Sequence, residues 1–216
     1  MLLRIIILVV LAFSFACCLW RLGGRSRPLR LIVVWVGLTL FSEISAFYLA
    51  AIYRNNLAVF HIFAPLLFLN TVMYFTSISP VIKNNRIGLS LGIIGLSASV
   101  INSIYLQPIH TFNSNFLLFG GLCVCTMGFI VLAEYAKNFD SPAPAHNPHF
   151  WITVILLFQQ VGAYFIYILI RFLELNHANP GNITTAYYML WMVGVISYFS
   201  IGIVFVCFPV KKTIYE

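Results

Sequence analysis

The sequence predicts an all-α protein: a polytopic membrane helix bundle of seven transmembrane helices, with the N-terminus outside and the C-terminus cytoplasmic. Three observations lead there. Apolar stretches fill nearly the whole chain, and about 20 apolar residues cross a hydrocarbon core. The 216 residues are 62% hydrophobic and only 8% charged, against about 25% charged in an ordinary soluble domain. Lys and Arg gather on alternate connections, as cytoplasmic loops require. The loops are too short to hold a soluble domain, so residues 1–216 read as a single transmembrane domain.

The spans are placed at 5–20, 31–53, 57–79, 87–105, 116–135, 150–172 and 186–208. Span 1 is the weakest, being short and preceded by Arg4. Its Ser14-Phe15-Ala16-Cys17 approaches a lipoprotein cleavage box, with a bulky Phe where a small residue is usual. It is read as a retained span, with a cleaved signal peptide as the alternative. Span 2 carries Thr39, Glu43, Ala46 and Ala50 on one face. Span 3 holds Pro65, which should kink the helix and free a carbonyl.

Span 4 places Gly88, Gly92, Gly95, Ser99 and Asn102 in one small-residue stripe. Such stripes let helix backbones approach closely in lipid. A central place in the bundle is expected for this helix, with a homodimer face as the alternative. Span 5 contains Cys123 and Cys125, about 200° apart on a helix and unable to chelate one metal together. All five cysteines lie in apolar spans, as small hydrophobes and not as a disulfide framework. Span 6 aligns Gln160, Tyr164, Tyr167 and Arg171 on one polar-aromatic face, and buried tyrosines need a hydroxyl partner.

The charges orient the chain. Arg21, Arg25, Arg27, Arg30, Lys83, Arg86, Lys137, Lys211 and Lys212 fall on one set of connections. Arg4, Arg54 and Arg171 fall on the other. Nine against three puts the first set in the cytoplasm. Attraction of these loops to anionic headgroups accounts for the net charge of +7. Nucleic acid is set aside as a partner, and the lipid bilayer takes its place.

Polar residues at membrane depth are the candidate site. Glu43, Asn70, Gln160 and Ser197 each lie roughly 15–18 Å into their spans, near the midplane. Glu43 is the only acid so placed, and no Lys or Arg is expected at its depth. Without a cation, a desolvated carboxyl favours its neutral form. A neutral clasp to Asn70 or Gln160 is one reading, and a proton- or ligand-binding group is the other. A second, outer-face candidate combines Arg54, His61, Tyr164, Tyr167 and Arg171.

Enzyme chemistry has no visible constellation, so no catalytic residues are assigned. His61, His110 and His177 share the expected outer face, but water-facing interfacial histidines are commoner than a metal site. No metal and no cofactor are assigned. The HxxxH pair of intramembrane ceramidase-type hydrolases is missing, and no Lys lies inside the last span to hold retinal.

An internal likeness links spans 2 and 6. Glu43, Ala46, Phe47 and Tyr48 precede Arg54 as Gln160, Ala163, Tyr164 and Phe165 precede Arg171. Spans 3 and 7 both end in Pro-Val before Lys, at Pro80-Val81-Ile82-Lys83 and Pro209-Val210-Lys211. A three-plus-one-plus-three repeat of the kind in SWEET transporters would suit this, though spans 1 and 5 show no such match.

Two stretches carry a family likeness: Asn55-Asn56-Leu57-Ala58-Val59-Phe60-His61-Ile62-Phe63 and Asn147-Pro148-His149-Phe150-Trp151-Ile152. They resemble a group of small bacterial seven-helix integral membrane proteins. The chain departs from that group at Ala64-Pro65-Leu66, where an acidic residue followed by Phe is the pattern. The resemblance implies the architecture and a bacterial inner membrane, and no activity. The expected function is a small-ligand-binding sensor that signals through the bundle to a cytoplasmic partner. The alternative is a small transporter with a midplane polar site, in which Glu43 would couple transport to protons. The ligand in either case would be small or amphipathic.

Overall fold

A computed structural model describes residues 2–20, 22–137, 144–177 and 179–208. Its eight α-helices are α1 (Leu2–Leu19), α2 (Arg27–Tyr53), α3 (Leu57–Ile78), α4 (Pro80–Asn84), α5 (Ile87–Ile101), α6 (Ser114–Lys137), α7 (Pro148–Leu175) and α8 (Pro180–Cys207). Among the described residues, six helices are long and apolar enough to cross a membrane. They correspond to α2, α3, α5 with its following π-turn, α6, α7 and α8. By length and composition the chain is thus a multi-pass membrane protein. The first span forms a shorter apolar helix, Leu3–Leu19. Arg21, Lys211, Lys212 and the Pro209-Val210-Lys211 motif lie outside the described residues.

Helix ends follow local signals. Pro stands in the first turn of α2, α4 and α8, where its missing N–H costs nothing. α8 starts six residues before the expected Ala186, because Asn179 caps it by accepting from the Gly181 N–H at 2.9 Å. At its far end Arg25 donates to the carbonyls of Phe205 and Phe208 and lies over the Phe205 ring. A cation there satisfies the last carbonyls and complements the helix dipole. Arg30 in turn donates to the carbonyls of Arg25 and Gly23. α3 runs continuously through Pro65.

Six helices close a ring in the order α1, α2, α3, α6, α7, α8, each packed on the next and α8 on α1. α5 stands outside it, against α3, α4 and α6. The expected central position of this span is therefore corrected. Its small stripe buries only one narrow face, and Leu89, Ile93, Ile94 and Val100 on its other faces stay exposed. A one-stripe helix can make one close contact, and here the contact is α3. A Cβ at Gly88 would overlap Thr76, and one at Gly95 would overlap Phe68. Gly92 and Ser99 are buried in the same face.

α1 is wedged between α2 and α8, with Leu11, Ser14 and Cys18 fully buried. Gly202 on α8 lets the Ser14 backbone approach: a Cβ there would meet the Ser14 Cα at 3.2 Å. Along the bundle axis, one half of the interior is solid. Tyr74, Phe75, Met127, Ile152, Leu156 and Ile201 fill it and are fully buried. The other half is hollow.

Candidate functional site: a cavity inside the helix ring

The hollow half encloses a cavity of about 810 Å³ lined by all six ring helices. It extends from Asn56, Phe112 and Thr184 at one end of the bundle down to Trp35, Thr71, Val124, Gln159 and Tyr198. Aromatic rings form much of the wall, among them Phe60, Phe68, Phe116 and Tyr187. Phe112 packs on Phe60, Tyr167 and Tyr187 at centroid distances of 6.3, 5.7 and 6.4 Å. It ties the rim of three elements together.

Polar groups cluster in the deeper part. Thr39 and Glu43 lie one helical turn apart on α2, and both face the cavity. Thr39 donates its proton to the Trp35 carbonyl at 2.9 Å, and Thr71 donates to that of Leu67 at 2.8 Å. Gln159 donates to the Tyr198 hydroxyl at 3.2 Å, while its Oε1 is buried with no partner among the described residues. Glu43 acts electrostatically on Tyr167 and Tyr198. Trp35 stacks at a tilt on Tyr198, with centroids 5.8 Å apart.

Arg4 also lines the cavity, with its guanidinium 5.4 Å from the Trp191 ring centroid. Its charge acts on Glu43. The expectation of no cation at the depth of Glu43 is thus corrected. Sequence arithmetic placed Arg4 in front of span 1. Packing of α1 along α8, with Phe13 on Phe199 and Ser14 on Gly202, sets Arg4 beside Trp191 well inside α8.

The sequence-derived candidates separate. Glu43 and Gln160 line the cavity, and Gln160 rests against Gly121 on α6. Asn70 and Ser197 are buried elsewhere: Asn70 Oδ1 has no partner among the described residues, and Ser197 donates to the Val193 carbonyl at 2.8 Å. The expected clasp between Glu43 and Asn70 does not form. Of the outer-face group only Tyr167 reaches the cavity. Arg54 is exposed in a left-handed cap of α2, Tyr164 packs on Phe165, and Arg171 is exposed.

His61 turns away into a polar knot at the end of α5. Its Nε2–H donates to the Thr111 carbonyl at 3.0 Å, so its Nδ1 accepts from Ser103 at 2.9 Å. Asn102, at the start of the π-turn, donates to Asn113 at 2.7 Å and accepts from Asn115 at 3.3 Å. Gln107 donates to Ser114 and accepts from the Asn115 N–H. The knot closes the end of α5 onto α6 and engages both ring nitrogens of His61. Among the described residues, no three His, Cys, Asp or Glu side chains gather closely enough to hold a metal.

Residues the sequence did not single out are Arg4, Trp191, Gln159, Tyr198, Thr71 and Trp35. Gln159 stood next to Gln160 and was readable as a second polar residue at depth. The others carried no signal until the helices were paired.

No family model, curated protein or solved structure matches this chain. Fold and cavity together describe a multi-pass helical membrane protein with an aromatic-walled internal site.

Proposed function

We propose that the chain is a seven-span protein of a bacterial inner membrane that binds a small amphipathic ligand inside the helix ring. Its N-terminus lies outside, its C-terminus lies in the cytoplasm, and α1 serves as the seventh span. Binding would shift the ring helices and pass the change to a cytoplasmic partner. The observation behind this reading is the cavity of about 810 Å³. It lies in the range of sites that bury a drug-sized ligand, with apolar walls and a few converging polar groups. The charge distribution supports the orientation, since Arg25, Arg27, Arg30, Lys83, Arg86 and Lys137 flank the solid half. The cavity then opens toward the outside, and the packed half seals the cytoplasmic side.

A second reading, transport, draws support from Glu43. A polar cluster of Glu43, Gln159 and Tyr198 near mid-depth is where transporters hold substrates and coupling ions. A transporter must also open the half now filled by Phe75, Met127 and Leu156.

Tryptophan emission tests both. The four tryptophans are Trp20, Trp35, Trp151 and Trp191, of which Trp35 and Trp191 line the cavity. A Trp20→Phe/Trp151→Phe protein in nanodiscs should show saturable emission changes with a subset of small amphiphiles. The same compounds assayed in proteoliposomes should show no protein-dependent flux if the protein senses. Saturable flux would transfer the site to a transporter, and no saturable emission change with any compound would remove the ligand reading.

A further inference from the structure

The cavity offers two opposite charges, and neither is spent. The Glu43 carboxyl has no hydrogen bond among the described residues, although it faces the cavity at depth. Some of the polar atoms around it present lone pairs. Thr39 and Thr71 have committed their protons to their own helices, and Gln159 Oε1 has no donor. The Tyr198 hydroxyl, which accepts from Gln159, and the Tyr167 hydroxyl keep protons on the same wall. The wall thus offers donors as well as acceptors, and Glu43 is its one carboxylate. Arg4 is the reverse: a donor fork held over the Trp191 ring, with no hydrogen bond or ion pair among the described residues. The two residues line one cavity without pairing with each other. Glu43 is half-buried and Arg4 is exposed. A charge withdrawn from water is costly unless it meets a partner. A ligand cation would therefore relieve Glu43, and an anion on the same ligand would add a contact to Arg4.

Resting on the ligand-binding reading above, we propose that the cavity takes a zwitterion on an apolar body. Its ammonium is bonded by Glu43, and its acidic oxygens by Arg4. Trp35 and Tyr198 flank the ammonium end, where aromatic faces favour a cation. The apolar body lies against Phe60, Phe68 and Phe116. A ligand bearing only a cation leaves Arg4 unanswered and is repelled by it. A ligand bearing only an anion leaves the Glu43 carboxylate unanswered and is repelled by it. The same pair of groups occurs in a free amino acid and in a phosphatidylethanolamine headgroup.

The test uses three probes with one shared body: biphenylalanine, its decarboxylated amine and its deaminated acid. Affinities are measured for the full chain in phosphatidylglycerol nanodiscs by the shift in unfolding temperature with ligand concentration. The zwitterion should bind about tenfold more tightly than either single-charge probe, the value of one charge-assisted hydrogen bond. Glu43→Gln should bring the zwitterion down to the affinity of the acid, and Arg4→Gln to that of the amine.

Equal affinity for amine and zwitterion in the unaltered protein, or no change on Arg4→Gln, overturns the proposal without relying on any variant's fold. If neutral amphiphiles still alter Trp35 and Trp191 emission while all three probes fail to bind, the zwitterion falls and the cavity reading stands. If nothing enters, both fall. Repeating the titration with phosphatidylethanolamine in the disc separates the sources. Competition that weakens biphenylalanine several-fold assigns the site to the lipid headgroup, and unchanged affinity assigns it to a free zwitterion.

Discussion

Phe68 stands with one edge against Gly95 and the opposite side against Gly120, so a single ring links the outlying α5 to the cavity. A Cβ at Gly95 would overlap the ring, while one at Gly120 would touch it at 3.4 Å. The ring also packs edge-on against Phe116, with centroids 5.9 Å apart, and lines the cavity. The small-residue stripe of α5 therefore sets where a cavity wall stands.

Gly95→Ala should drive Phe68 toward the cavity. Overpacking of this kind costs about 1–3 kcal/mol, and ligand affinity should fall together with the unfolding temperature. Gly92→Ala is the control, because its Cβ would meet only ordinary contacts at 3.7 Å and beyond. Its stability and affinity should stay close to those of the unaltered protein. Equal behaviour of the two variants would mean that Phe68 relaxes freely.

Gly128→Ala should destabilise through the solid half without touching ligand binding. Its Cβ would stand 2.7 Å from Leu157 Cδ2 and 2.8 Å from its Cγ, where α6 meets α7. A cost of about 1–3 kcal/mol is expected. Thermal unfolding in nanodiscs, paired with the emission titration, checks that the two effects separate.

Arg25→Lys should lower stability although it keeps the charge. The guanidinium reaches the carbonyls of Phe205 and Phe208 together and covers the Phe205 ring. An ammonium is a point charge and lacks that fork. Loss of one hydrogen bond from a charged donor amounts to about 1.5–3 kcal/mol. An unfolding midpoint equal to that of the unaltered protein would show that the α8 terminus does not depend on the fork.

His61→Ala should loosen the knot at the end of α5. The half-buried Ser103 loses its ring partner, and the exposed Thr111 carbonyl is left to water. A cost of about 0.5–1.5 kcal/mol, that of an ordinary hydrogen bond, is expected. Amide exchange should rise over the segment from Asn102 to Asn115. Added zinc should change nothing in either protein, since both ring nitrogens are already used.

Single cysteines in a cysteine-free background test the orientation. Asn55→Cys lies at the cavity end and Asn85→Cys at the solid end, and both positions are exposed. Asn55→Cys should react with an impermeant maleimide on intact cells, and Asn85→Cys only after permeabilisation. The reverse pattern would invert the proposed topology.

Depth and composition were readable without a structure, because hydropathy and rise per residue are properties of one helix at a time. They located α2, α3, α5, α6 and α7 to within a few residues and brought out Glu43 and Gln160 as polar groups deep in apolar helices. The matched pairs Glu43/Gln160 and Ala46/Ala163, aligned by sequence alone, all face the same cavity. The start of α8 was misplaced because Asn179-Pro180-Gly181 reads as a loop, whereas Asn179 and Pro180 act together as a helix start.

What the sequence by itself determined is the kind of molecule: apolar helices joined by short loops, with a small-residue stripe on α5 and basic residues gathered at one end. Tertiary structure alone decided which faces meet. The longitudinal offset of α1 on α8 brought Arg4 beside Trp191 and into range of Glu43. Rotation of α3 within the ring turned Thr71 toward the cavity while leaving Asn70 out of its lining. Offset and rotation are fixed by interdigitation between helices, a property of pairs of surfaces that no single helix's residue pattern contains.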